Sequence, residues 1–441
     1  MTSDRECYVY IVLPDATQFV TAGRLRTTLV DGVPVGRFVY GRSYRERREA
    51  VELDPVELRL SARSATYSTG RMGGFFGAIR DAMPDYWGRL VIDRHAGVAR
   101  LDDFDYLLHG PDDRVGALGF GLNVAPPAPL RRFNRTLDLG RLQATADRVV
   151  AGRLLATSDS VELRAEELLG AGTSLGGARP KAMVADADAL WIAKFARRDD
   201  RWNVPRAEHA MLALARKCGI ASADSRIAAF GDRDALLVPR FDRDWQGPDY
   251  ARSSREDPLP GEGGFRRARV VSASTVLQTD DSVTERGRWS YLLFADEIRR
   301  IVADARSDLR ELFTRMCFNA AISNLDDHPR NHAIVAKRRA WRLAPAYDLT
   351  PSPVLATERR DLAMACGREG RLASRANLMS ACGRFLLRET EAAAIFDRVL
   401  TTVGSQWRST MRRSGVSEAD CALLATAFVY PGLQGAGATD R

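Results

Sequence analysis

The sequence contains no run of about 18 consecutive apolar residues, the length a membrane-crossing helix requires, so no bilayer-spanning helix is expected. The opening residues, MTSDRECYVYIVLPD, lack the basic-then-apolar order of a secretory leader, and a cytoplasmic location is the expectation. Its six cysteines (Cys7, Cys218, Cys317, Cys366, Cys382, Cys421) are scattered, with no C-x-x-C pair. That excludes the common zinc-ribbon and redox motifs and leaves buried free thiols as the expectation. No repeat recurs at a fixed period, which removes the solenoid classes.

What is present is ordinary in bulk. With 441 residues, 45% hydrophobic and 28% charged, the chain can bury a substantial core and divides most naturally into two or three units. A net charge of +8 comes from 65 basic against 57 acidic residues. That is a mixed-charge surface, not a nucleic-acid footprint.

Strand signals open the chain in YVYIVL and VGRFVY, either side of the turn-like VDGVPVG. From Met72 to Arg94, Phe75, Phe76, Ile79, Met83 and Trp87 recur at helical intervals, with Pro84 expected to kink or restart the helix. FDYLLHGPDDRVGALGF predicts a helix, a turn and a short strand. NVAPPAPLRRFN reads as a connector, and a helix is expected at 162–169. The glycine-rich stretch Gly170–Pro180 precedes KAMVA and LWIAKF, which predict a hairpin. PRAEHAMLALARKCGI predicts a helix stopping at Gly219, and SRIAAF and ALLVPRFD two further strands. Trp245 to Arg267 reads as an exposed loop; Trp245, Arg266, Arg267 and Arg269 could mark a stacking surface for nucleic acid, but a solvated loop is the plainer reading. Asp308 is the expected cap of a helix with Leu309, Leu312, Phe313, Met316 and Ala320 on one stripe.

That helix leads into NAAISNLDDHPRNHAIV, where Asp326 precedes Asn331 by five residues, and Asp348 follows in LAPAYDLTP. Phosphoryl transfer needs a carboxylate to position the attacking hydroxyl and oxygen ligands for magnesium. An Asp, an Asn five residues on and a later Asp follow the order used by kinases. In isolation, NLDDHPRN reads equally well as a polar turn. Upstream, Gly176 and Gly177 in TSLGGARPK can bring backbone N–H groups close to phosphates. Lys194 on LWIAKF is either a strand lysine that snorkels to water or a phosphate contact. His328 and His332 lie at a zinc-like spacing, but Pro329 intervenes and no third ligand is evident.

These pieces together resemble the HipA kinases of bacterial toxin–antitoxin systems. The resemblance rests on FFGAIRDAMPDYWGR, FDYLLHGPDDRVGAL, SLGGARPKA, WIAKF, RAEHAMLALA, LLVPRFDR, NLDDHPRN and AYDLTP, in that order over most of the chain. It implies an α+β HipA-like kinase fold: an N-terminal α/β subdomain that contacts the antitoxin (1–150), a nucleotide-binding sheet lobe with the glycine-rich loop (151–242) and a mainly helical catalytic lobe (243–441). It implies an ATP-dependent serine/threonine protein kinase using Mg2+, with Asp326 catalytic and Asn331 and Asp348 on the metal. It places Ser174, Gly176, Gly177, Ala178, Lys181, Lys194, Pro239, Phe241, His328 and Asn331 around the nucleotide, with Pro239 and Phe241 at the adenine hinge. Glu208 becomes a candidate partner of Lys194, and His328 a brace of the catalytic loop. Ser174, or its neighbour Thr173, is the expected site of inhibitory autophosphorylation, since added phosphate charge repels nucleotide.

The implied partners are a protein substrate such as an aminoacyl-tRNA synthetase or another translation component, and a HipB-like helix-turn-helix antitoxin. Operator DNA is reached only through the antitoxin complex, and no membrane is involved. Two features depart from the family pattern: Pro180 replaces a longer polar side chain, and the segment Gln246 to Gln278 looks individual. The rival readings are a small-molecule phosphotransferase and a non-catalytic regulatory relative.

Overall fold

The computed structural model describes residues 4–96, 101–112, 114–129, 134–135, 138–151, 179–186, 189–246 and 264–434. The chain condenses into two compact units. One comprises 1–197, 230–271 and 335–340; the other comprises 198–229, 272–334 and 341–441.

In the first unit, alternating β-branched and aromatic residues form β1 (Arg5–Val12), β2 (Phe19–Val30) and β3 (Val33–Tyr40). Asp31 and Gly32 link β2 to β3 with φ of 51° and 80°. Both lie in the left-handed region that two-residue hairpin turns require. With β4 (Thr66–Thr69) and β5 (Leu118–Gly121), the order is β4-β3-β2-β1-β5, antiparallel throughout.

Helical periodicity over 72–94 carries an expected kink or restart at Pro84, and the structure restarts there, as α1 (Gly77–Asp81) and α2 (Tyr86–Ala96). Pro84 cannot supply the N–H that a continuous helix needs. Asp85 uses the break, its carboxylate accepting from the Gly88 N–H at 2.7 Å. As expected, FDYLLHGPDDRVGALGF gives a helix and then a strand: α3 (Asp103–His109), capped by Asp102 in a capping box with Asp105, and β5.

After α4 (Leu139–Val150), the expected hairpin forms from β7 (Lys181–Asp186) and β8 (Ala189–Phe195). Within this unit the neighbours run β6 (Asn134–Arg135), β7, β8 and β9 (Arg233–Pro239). The expected loop from Trp245 to Arg267 needs correction at both ends. β10 (Arg243–Gln246) pairs antiparallel with β11 (Gly264–Arg267), and Trp245 packs on Phe265 at 5.0 Å between ring centroids. Arg267 and Arg269 are not solvated either. Both are buried, Arg267 against Asp112 at 2.8 Å and Arg269 against Glu52. Residues 247–263, most of the glycine-rich stretch, part of the connector and the helix expected at 162–169 lie outside the described residues.

In the second unit, α5 (Val204–Lys217) begins under an Asn203 cap and stops at Gly219, whose φ is +81°. Next come the strand Arg226–Phe230, α6 (Tyr291–Ile298), α7 (Ala305–Ala321) and the 25-residue α8 (Glu389–Arg413). Helices α5 and α7 both pack on α8. The stripe of Leu309, Leu312, Phe313, Met316 and Ala320 is buried as expected, each large apolar side chain contributing about 1.5–3 kcal/mol. The cap of α7 is not Asp308 but Asp304, whose side chain accepts from Ser307 N–H. Asp308 lies one turn on, buried, and receives the Arg342 guanidinium at 3.0 Å. All six cysteines are free and buried, as anticipated. Among the described residues, no helix is long and apolar enough to cross a membrane.

Candidate active site

Helix α7 delivers the chain to the acidic motif. It ends at Ala321, and Ser323 turns the chain sharply with φ of +49°, a conformation costly for a residue with a Cβ unless neighbours enforce it. They do so here. The Ser323 hydroxyl donates to the Ala427 carbonyl at 2.7 Å and accepts from Arg360 at 2.6 Å. Its own carbonyl receives the Ser352 N–H at 3.1 Å.

Beyond this turn, Asp326 is exposed and Asp327 is buried. Consecutive side chains diverge, so one carboxylate meets solvent while the next serves the interior. His328 N–H donates to the Asp326 carbonyl at 2.9 Å, and Asn331 N–H to the His328 carbonyl at 2.8 Å. Pro329–Asn331 form one tight helical turn. The Asn331 side-chain amide returns to the Asp326 carbonyl at 3.0 Å. Orienting the amide from that bond leaves the Asn331 side-chain oxygen without a protein partner among the described residues.

Asp348 arrives on a separate segment. Arg315 reaches from α7 to the Ala344 carbonyl at 2.7 Å, and Ala346 N–H donates to Ala221 at 2.7 Å. Tyr347 hydroxyl donates to the Arg330 carbonyl at 2.9 Å, joining the residue before Asp348 to the residue before Asn331. Asp348 itself has φ of +59°. Partial burial raises the Asp326 carboxyl above its usual range; His328 opposes the rise, and the charges of Asp348 and Asp327 add to it.

The structure thus gathers Asp326, His328, Asn331 and Asp348 within one unit. His328 packs edge-on against Trp289, and its Nδ1 is buried without a hydrogen-bond partner. His332 turns away from it, with Nε2 on Asp327 at 2.8 Å. The donor set suits a hard divalent cation. Two carboxylates repel each other beside an amide oxygen, and a cation between them would remove that repulsion. Among the described residues no group of three His, Cys, Asp or Glu side chains forms a ready metal cage. Mg2+ does not need one, because it binds through one or two carboxylates, waters and phosphate oxygens.

Of the remaining expected residues, Lys181, Lys194, Pro239 and Phe241 belong to the first unit, and Glu208, buried on α5, to the second. Lys194 lies on β8, opposite Leu236 of β9 and Lys181 of β7. Pro239 and Phe241 are half-buried where β9 ends, and Arg240 N–H donates to the Leu190 carbonyl at 2.8 Å. The end of β9 is pinned by a buried cluster. Asp242 accepts from Arg240 at 2.6 Å, Arg243 at 2.8 Å and the Gly116 N–H at 2.9 Å. Lys181 is committed elsewhere: its ammonium meets Asp85 at 2.5 Å, both side chains buried, while Trp87 Nε1 donates to its carbonyl at 3.0 Å. Ser174, Gly176, Gly177 and Ala178 lie outside the described residues.

Sequence reasoning missed Asp85 as the Lys181 partner, and Asp327, Asn319 and Tyr291 behind the acidic loop. The doubled aspartate in NLDDH was a usable signal, since adjacent carboxylates in a turn cannot both face the same way.

The helix-and-sheet architecture is a HipA-like fold. It superposes on the HipA chain of the Shewanella oneidensis MR-1 HipA, HipB and operator DNA complex with a TM-score of 0.63, covering 95% of this chain and 94% of that one at 15% identity. The HipA-like C-terminal domain family matches residues 173–407, more than half of the sequence, and the chain belongs to that family. A Sinorhizobium fredii protein bearing the name "Putative kinase Y4mE" is 25% identical over 341 residues, 72% of this chain and 73% of its own. The Helicobacter pylori proinflammatory kinase CtkA is far more remote, with a TM-score of 0.35 and 9% identity over 57% of this chain and 91% of its own.

Proposed function

We propose that the protein is an ATP- and Mg2+-dependent serine/threonine protein kinase acting as the toxin of a HipA–HipB-type toxin–antitoxin system. The observation that carries this reading is the exposed Asp326, whose backbone carbonyl is held by the Asn331 amide and whose carboxylate feels the charge of Asp348, in a chain of the HipA-like family. Asp326 orients the substrate hydroxyl and accepts its proton as the oxygen–phosphorus bond forms and the bond to ADP breaks. Asn331 and Asp348 hold Mg2+, which neutralises charge on the phosphate oxygens. Lys194 and the loop of Ser174, Gly176, Gly177 and Ala178 contact the phosphates. Pro239 and Phe241 flank adenine.

In this reading residues 1–150 contact a helix-turn-helix antitoxin, through which operator DNA is reached, as the partners of the Shewanella oneidensis HipA suggest. Residues 151–242 carry the nucleotide and 243–441 the catalytic lobe, in the cytoplasm. The target is a translation component such as an aminoacyl-tRNA synthetase, and phosphate on Ser174 or Thr173 switches the enzyme off.

The test is incubation with γ-labelled ATP and a cell lysate, alongside Asp326→Asn. Protein bands that vanish in the variant support the kinase. Label confined to small molecules supports a small-molecule phosphotransferase, and no Asp326-dependent label a regulatory relative. Mass spectrometry of peptide 170–181 after ATP treatment reads the switch, and absence of phosphate there removes it.

A further inference from the structure

Behind the acidic loops runs a chain of buried polar side chains that no step of phosphoryl transfer uses directly. Asp327 is 1% exposed and its Oδ2 collects three donors: the Tyr291 hydroxyl, Asn319 Nδ2 at 2.8 Å and His332 Nε2 at 2.8 Å. Three donors satisfy a carboxylate that would otherwise be costly to bury. Asn319 sits on α7 with no exposure and also donates to the Tyr291 hydroxyl at 3.1 Å. Its Oδ1 accepts from Asn324 at 3.1 Å, and Asn324 N–H bonds back to the Asn319 carbonyl at 2.8 Å. Asn324 Oδ1 then receives the Thr350 hydroxyl at 3.5 Å, two residues beyond Asp348. The Ser352 N–H to Ser323 bond runs beside it.

The two ends of this chain are the residue after Asp326 and the segment after Asp348. Helices α6 and α7 supply its middle, so its geometry is referenced to rigid elements and not to the loops themselves. We infer that Asn319 and Asp327 are positioning residues that fix Asp326 and Asp348 relative to each other. The inference rests on the kinase reading and deepens it. A hydroxyl, a substrate phosphate and a cation must meet within a few tenths of an ångström for the transfer to proceed. Two loops from separate stretches of sequence need such a link to hold that register.

The test uses the full chain and four single variants: Asn319→Ala, Asp327→Asn, Tyr291→Phe and Thr350→Val, the last two nearly isosteric and leaving the packing intact. Each is measured for fold by circular dichroism, for kcat and for KM of ATP. The expectation is a kcat about 10- to 100-fold lower for Asn319→Ala and Tyr291→Phe, a smaller fall for Thr350→Val, and KM for ATP within about threefold of wild type. Asn319→Ala combined with Asp327→Asn should be little worse than either alone, because both break the same chain. Folded Tyr291→Phe and Thr350→Val proteins with wild-type kcat overturn the inference, whether or not Asn319→Ala folds. If the wild type itself shows no Asp326-dependent transfer, the kinase reading fails first and this inference falls with it.

Discussion

The Asn331 side-chain amide donates to the Asp326 carbonyl at 3.0 Å, closing the five-residue interval between them into a single turn. The bond uses the amide nitrogen and the backbone oxygen. It therefore engages neither the Asp326 carboxylate nor the Asn331 side-chain oxygen, the two groups the proposed phosphoryl transfer would use. The spacing of five is thus a geometric condition and not only a motif.

Cation dependence follows from that arrangement. Asp348→Asn keeps the volume and removes the hard anionic oxygen proposed as a Mg2+ ligand. The expected outcome is a Mg2+ requirement raised by about tenfold or more, with activity partly restored at high Mg2+. A Mg2+ titration of phosphoryl transfer reads it, and an unchanged titration curve removes Asp348 from the metal.

Lys181 and Asp85 form a buried pair, and such pairs are sensitive to the loss of one partner only. Lys181→Met strands a buried carboxylate and should cost about 3–5 kcal/mol, whereas Lys181→Met with Asp85→Leu should recover most of that loss. Chemical unfolding of the three proteins measures it. Because the ammonium is engaged with Asp85, the double variant should keep its KM for ATP within about threefold. A large rise in KM despite recovered stability would return Lys181 to the phosphates.

Much of this architecture was legible beforehand. The hairpin of β7 and β8, the helix α5 and its stop at Gly219 follow from local patterns that depend on a few neighbouring residues. The restart at Pro84 was legible too, because hydrophobic periodicity continues through it while the hydrogen-bond ladder cannot. Arg267 and Arg269 misled because charge was read as exposure. Their partners Asp112 and Glu52 are distant in sequence, and no local pattern announces them. Asp327 differs, since the doubled aspartate marks it locally; only its donor Tyr291 on α6 is distant in sequence.

Asp242 gives a pH prediction with a definite sign. Burial works against its charge, but Arg240 and Arg243 hold its carboxyl well below the usual carboxylate range. Its contribution to stability is therefore complete above the unfolded value of about 3.9 and is lost as pH falls toward the folded value. Asp242→Asn should lower stability by about 3–5 kcal/mol at pH 7 by leaving two guanidinium groups buried without their anion. The gap between wild type and variant should narrow below about pH 4. Chemical unfolding at several pH values reads both effects, and a gap independent of pH would contradict the assignment.

The role proposed for Asp326 is on the substrate hydroxyl and not on the nucleotide. Calorimetric ATP binding and phosphoryl transfer, measured side by side for wild type and Asp326→Asn, separate the two. ATP affinity within about threefold of wild type and transfer slowed by about a hundredfold to ten-thousandfold are expected. Transfer at the wild-type rate in a folded Asp326→Asn protein would contradict it.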